Sequence, residues 1–155
     1  MFAQRYSSRQ RGFTLIELMI VILLMSLILG ISIPSYRAYT LRAGRSDAST
    51  ALLHLAASQE RFYLQNGTYA GNAVLAVDPP NGLGFTNSKS SHNYYTLAIA
   101  PDAAGLTVGY VATATVDANE KQRGDTDCNS LSIDQNGRRG ANGGYVPAVV
   151  EECWR

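Results

Sequence analysis

The sequence predicts an α+β fold: a long N-terminal helix, one half membrane-spanning and one half amphipathic, packed on a small antiparallel β-sheet. Three observations carry this. An apolar run from Phe13 to Ile33 is interrupted by a single ionisable residue, Glu17. A second stretch, beginning at Ala48, repeats apolar or small side chains at helical spacing. After Tyr69 the chain turns to strand-like runs with no helix between them, the pattern of an antiparallel sheet following a helix.

The run Phe13–Ile33 is 21 residues long. As a helix it spans roughly 31 Å, the thickness of a bilayer hydrocarbon core. A carboxylate inside such a helix costs roughly 2.5–3.5 kcal/mol near the bilayer centre, so Glu17 requires a partner and a purpose. Arg5, Arg9 and Arg11 precede the run and favour an N-in, C-out orientation. Once they are set aside, the rest of the chain carries two more carboxylates than basic groups. That balance argues against a dedicated nucleic-acid binder. A cleaved secretory signal is the competing reading, because Gly30-Ile31-Ser32 offers a small-x-small site. Its apolar region is ordinarily about 7–15 residues, shorter than this run, and it gives Glu17 no role. Small Ser26, Gly30 and Ser32 favour close lateral helix packing. Pro34 removes one helical hydrogen bond and predicts a kink.

The helix continues beyond Pro34. Ala48, Leu52, Leu55 and Phe62, flanked by Ala51, Ala56 and Tyr63, form the apolar stripe of an amphipathic helix. Asp47, Ser49, Gln59 or Glu60, and Arg61 are assigned to the opposite face. Asn66-Gly67 is the stop, with Gly67 suited to the left-handed C′ position. Gly71 to Ser91 reads as a long loop, since Asp78-Pro79-Pro80-Asn81-Gly82 excludes helix interior, with a short helical turn near 73–77. Strands are predicted over Tyr94–Ala100, Leu106–Val116 and Ser130–Ile133. Asp134-Gln135-Asn136-Gly137 is a turn signal. The stretch Gly140–Gly144 reads as loop, and Tyr145–Val150 as a fourth, edge-like strand. The domain boundaries that follow are 1–12 for a leader, 13–33 for the membrane segment and 34–155 for a globular domain.

No constellation for catalysis, metal or cofactor emerges. His54 and His92 have no second ligand at metal spacing, and no Gly-x-Ser-x-Gly elbow is present. Asp125-Thr-Asp127-Cys-Asn129 begins like a calcium loop. Ser130 and Asn136 then stand where that loop needs its glycine and its bidentate glutamate. The run Gly137–Gly144 lacks the Lys-Ser/Thr of a phosphate-binding loop. Arg138 and Arg139 are weak evidence for contact with DNA or another surface. Cys128 and Cys153, downstream of an export signal, favour one disulfide in an oxidising compartment. Closing that loop contributes about 3 kcal/mol in the chain-entropy model. Trp154 is expected to pack over it.

The segment Arg11-Gly12-Phe13-Thr14-Leu15-Ile16-Glu17-Leu18-Met19-Ile20-Val21 resembles the class III signal and N-terminal helix of type IV pilins and pseudopilins. Further motifs are similar to those of PilE-like minor pilins: Gln59-Glu-Arg-Phe-Tyr63, Asn66-Gly-Thr-Tyr69, Tyr94-Tyr-Thr-Leu97, and Asp127-Cys-Asn-Ser-Leu131 with Asp134-Gln-Asn-Gly137. The resemblance implies the pilin fold and no enzymatic activity. It implies that a prepilin peptidase cuts between Gly12 and Phe13 and methylates the new amine of Phe13. It implies that Glu17 pairs with the N-terminal amine of a neighbouring subunit. Gly30 and Pro34 become a stretch able to melt during assembly, and Cys128 and Cys153 bracket the D-region. The implied partners are other pilin subunits, the inner-membrane assembly machinery and the membrane, with nucleic acid left open but unsupported by the residues. The implied course is a single-pass inner-membrane precursor, then a pilus fibre serving adhesion, twitching motility or DNA uptake. A type II secretion pseudopilin is the alternative.

Overall fold

The computed structural model describes residues 12–155; the leader arginines Arg5, Arg9 and Arg11 lie outside them. Helix α1 covers Leu15–Asn66. By its contacts the chain divides into two compact units, one ending at Ala38 and the other Tyr39–Arg155. The first holds the apolar part of α1, and α-helical structure continues across Gly30 and Pro34.

The second unit is an α+β domain. Strands β1 (Tyr95–Pro101), β2 (Tyr110–Val116), β3 (Ser130–Asp134) and β4 (Arg139–Ala141) form one antiparallel sheet in the order β1-β2-β3-β4. Alternation along the strands sends Tyr95, Leu97, Ile99, Tyr110, Ala112, Ala114, Leu131 and Ile133 to one buried face. That face shares its core with Ala48, Ala51, Leu52 and Leu55 of α1, the stripe that the helical period predicts. The helix stops as its sequence indicates: Gly67 takes φ 70° and its amide donates to the Tyr63 carbonyl at 2.8 Å.

The loop after α1 protects the open edge of the sheet. The Ser90 amide donates to the Tyr95 carbonyl and the Ser90 hydroxyl accepts from the Tyr95 amide, both at 3.0 Å. Asn72 Oδ1 accepts from the Ile99 amide at 3.1 Å. An edge strand whose backbone groups are taken up in this way offers less of a template for non-native pairing.

Several expectations are corrected. Tyr145–Val150 is not a strand; helix α2 runs Pro147–Cys153 instead. Pro147 fits the first helical turn, where no donor is needed, and Val149, Val150 and Cys153 turn inward at helical spacing. The predicted loop 140–144 contains the end of β4 and a tight turn. There the Ala141 and Gly144 amides each donate to the other's carbonyl at 2.9 Å. Strand β2 begins at Tyr110 rather than Leu106, because residues 102–109 close a hydrogen-bonded loop through Gly105 and Gly109. Asp47 is buried, not on the outer face, and of the alternatives Gln59 and Glu60 it is Glu60 that is exposed while Gln59 is buried. The Gln59 side chain exchanges two 2.8 Å hydrogen bonds with the backbone of Ala70, pinning the chain as it leaves α1.

Burial also sets a limit at high pH. Desolvation pushes the Tyr95 phenol up from 10.0 to about 12, against an opposing contact with Gln122, and burial raises Tyr110 in the same direction. The unfolded phenols lose their protons first, so the unfolded state binds fewer protons above pH 10 and stability falls as pH rises. Urea midpoints are therefore expected to show no contribution from these phenols below about pH 10 and to decline between about pH 10 and 12. Absorbance at 295 nm should show these two tyrosines ionising at higher pH than exposed phenols do.

Candidate functional site

The N-terminal surface is built from a residue pattern that frees an apolar helix and marks its start with charge. Every large apolar side chain of the run is exposed, from Phe13 at 88% to Val21 at 47%. Gly12 lies just ahead, and a side chain added at either Gly12 or Gly30 would meet open space. Thr14 and Glu17 form a reciprocal cap on α1. The Thr14 amide and hydroxyl both donate to Glu17 Oε2, and the Glu17 amide donates to Thr14 Oγ1, each at 3.3 Å. This is the Thr-x-x-Glu capping box. It turns the carboxylate back toward the N-terminal end, where Phe13 begins.

The C-terminal end is held by a second constellation. Cys128 and Cys153 are bonded, with Cα atoms 5.5 Å apart, and both are buried. Trp154 packs against the core that contains them, its indole N–H donating to the Gly140 carbonyl at 2.9 Å. Beside the disulfide lies a pair that the sequence does not reveal. Arg45 of α1 grips Asp125 through Nε and Nη2 at 2.7 and 2.8 Å, with the two side chains 5% and 1% exposed. Asp125 Oδ1 also accepts the Cys128 amide at 3.2 Å, and Arg45 Nη1 donates to the Glu152 carbonyl at 3.3 Å. Gln122 Nε2 donates to the Leu41 carbonyl at 2.6 Å. These contacts fix both arms of the disulfide loop to α1. The bond to Asp125 also raises the Arg45 pKa above its ordinary value, more than burial lowers it.

Asp125, the first residue of the partial calcium pattern, is thus committed to an arginine, and no group of three His, Cys, Asp or Glu able to hold a metal occurs among the described residues. His92 is not isolated: its Nδ1 lies 3.0 Å from Asp47 Oδ1. His54 stacks obliquely on Phe85 at 5.1 Å.

An uncovered apolar helix, led by a capped carboxylate and feeding a small disulfide-closed α+β domain, defines a pilin-type subunit. Residues 7–33 match the prokaryotic N-terminal methylation motif. Residues 34–132 match the family described as type IV minor pilin ComP, DNA uptake sequence receptor. The chain belongs to the type IV pilins. It is similar to the major pilin PilA of Myxococcus xanthus, with 32% identity over 64% of this chain and 42% of that one. It is 40% identical to a fimbrial protein of Neisseria meningitidis serogroup B over 43% of this chain and 39% of the relative. With FimA of Dichelobacter nodosus it shares 35% identity over 66% of this chain and 63% of the relative. The first two matches span about two fifths of those relatives' lengths. A type IV pilin structure from Shewanella oneidensis aligns with a TM-score of 0.44 at 25% identity, over 68% of this chain and 97% of that one.

Proposed function

We propose that this chain is a structural subunit of a type IV pilus, a minor pilin assembled by packing of its N-terminal helix and carrying no catalysis itself. The observation that carries the reading is the uncovered apolar surface from Phe13 to Ile33 with Glu17 at its head. In the precursor this surface faces lipid with residues 1–12 on the cytoplasmic side; in the fibre it faces other pilin helices. Prepilin peptidase removes residues 1–12 and methylates the amine of Phe13. The match to the methylation motif supports that step. The new amine then pairs with Glu17 of a neighbour, and low helix propensity at Gly30 and Pro34 lets the intervening stretch loosen. Residues 34–155 form the exported domain.

Intact-mass analysis of the protein from its native cell tests this. The expected mass is that of a chain starting at monomethylated Phe13 with both cysteines oxidised. A chain starting at Ile33 would sink the reading.

The match over residues 34–132 favours a second role, in DNA uptake, because the family's description names a DNA uptake sequence receptor. It is compatible with the first role, since a receptor subunit must also be carried by a fibre. Its test is whether the wild-type chain retains duplex DNA at all.

A further inference from the structure

We propose that the short turn Lys121–Gly124 clamps α1 and marks where its loosening ends. Gln122, seated in the notch that Gly44 leaves, holds the helix at the Leu41 carbonyl, so that opening begun at Gly30 and Pro34 stops before the core. The inference rests on the reading of Gly30 and Pro34 as a stretch that loosens during assembly, and it sets a limit to that stretch.

Two glycines interrupt α1, Gly30 and Gly44, and the structure separates their roles. Each weakens a helix relative to alanine. A side chain added at Gly30 would meet open space, and Pro34 withholds the amide that the Gly30 carbonyl would otherwise accept. Residues 35–40, which follow, are exposed. Gly44 is the opposite case. A side chain added there would collide with Cδ, Oε1 and Nε2 of Gln122, so the carboxamide lies directly on the helix backbone. Gly44 and Arg45 are the first buried residues of α1 among those described.

This close approach has a chemical use. The Gln122 side chain is buried, and its Nε2 donates to the Leu41 carbonyl at 2.6 Å. A carbonyl has two lone pairs, so this bond adds to the helical ladder instead of replacing part of it. Nε2 also lies 3.4 Å from Asp125 Oδ2, on the carboxylate that grips Arg45. The Asp125 amide donates to the Gln122 carbonyl at 2.8 Å, which keeps the two holders together. One turn of α1, Leu41 to Arg45, is therefore held by backbone and by side chain from a single segment. Ala48, the first apolar core residue of α1, follows within the next turn. Opening below Leu41 breaks helical bonds beside water. Opening past it must also strand a buried carboxamide and a buried ion pair, and local opening halts where its cost rises in this way.

Hydrogen exchange of the full chain in detergent micelles, read amide by amide by NMR, tests the clamp. A helical amide bonds the carbonyl four residues earlier, so the wild type is expected to exchange fast over 35–44 and slowly from Arg45 onward. Gln122→Met keeps the bulk and loses the donor. It is expected to speed exchange over 45–51 about tenfold and to leave 52–58 unchanged, which also shows that the variant folds. Gly44→Ala gives opposite signs for two accounts: helix propensity alone slows exchange, whereas displacing Gln122 speeds it, the expected result. Adding Gly44→Ala to Gln122→Ala should slow exchange relative to Gln122→Ala alone, because the methyl then meets no carboxamide. If Gln122→Met exchanges like wild type over 45–51, or Gly44→Ala slows exchange there, the clamp is overturned and the loosening reading stands. Faster exchange over 52–58 as well would make Gln122 a general stabiliser and also overturn it. If wild-type amides over 35–44 exchange as slowly as those over 52–58, the loosening reading itself fails.

Discussion

Replacing Arg45 by Met is expected to destabilise the globular domain by about 3–5 kcal/mol, the penalty for leaving one member of a buried ion pair uncompensated. The geometry explains why this pair differs from a surface bridge. Two short parallel hydrogen bonds join it, and both partners are buried. The orphan left by the substitution is Asp125, a carboxylate still surrounded by the Gln122 side chain and the Cys128 amide. Asp125→Ala is expected to cost a similar amount, because it strands the guanidinium. The double replacement, Arg45→Met with Asp125→Leu, is expected to recover most of the loss, since two apolar groups need no partner. A double-mutant cycle from urea unfolding of the full chain measures this coupling. Lys89→Met is the control. Its bridge to Asp117 is partly exposed at 32% and 13%, so the expected change is below about 1 kcal/mol. Additive losses at Arg45 and Asp125 would show that the latch does not act as a pair.

What the sequence made legible follows from the range of each signal. The apolar stripe of α1, the Gly67 stop and the Asn136-Gly137 turn are local patterns, and the structure places each where its chemistry indicates. Arg45 was not legible, because its partner lies 80 residues away and a single arginine on a helix reads as solvated. Gln59 misleads for the same reason: only the fold brings the Ala70 backbone to its amide. At the C-terminus two local signals competed. β-Branched Val146, Val149 and Val150 suggest a strand, but Pro147 and the inward spacing of Val150 and Cys153 commit the segment to helix. The Asn142-Gly143 dipeptide was readable as a hairpin turn and, given that weight, would have placed Tyr145 over β4. The exposed apolar face of α1 was the most legible part, because a long apolar run with one carboxylate is informative without any tertiary contact.

Replacing Glu17 by Ala is expected to leave the chain in the membrane and correctly cut before Phe13, while its content in sheared fibres falls by at least a hundredfold. The direction follows from where the carboxylate's energy is recovered. Before assembly its partners are the Thr14 amide and hydroxyl, at 3.3 Å each, long contacts that offset only part of the cost of a charge in hydrocarbon. Membrane insertion therefore does not need Glu17, and removing it makes the helix more apolar. In a fibre the amine of Phe13 is itself a charge taken out of water, and without a carboxylate it stays uncompensated. Breaking a buried pair in this way costs about 3–5 kcal/mol, and each 1.4 kcal/mol is about tenfold in an equilibrium. Glu17→Gln separates shape from charge: the amide still accepts from Thr14 and fits the same space, yet gives the amine no counter-charge, so it should fail nearly as badly as alanine. Quantitative mass spectrometry of fibre and membrane fractions from cells expressing each variant decides the matter. Glutamine assembling like wild type would assign Glu17 to the helix cap alone and remove charge pairing from the account of assembly.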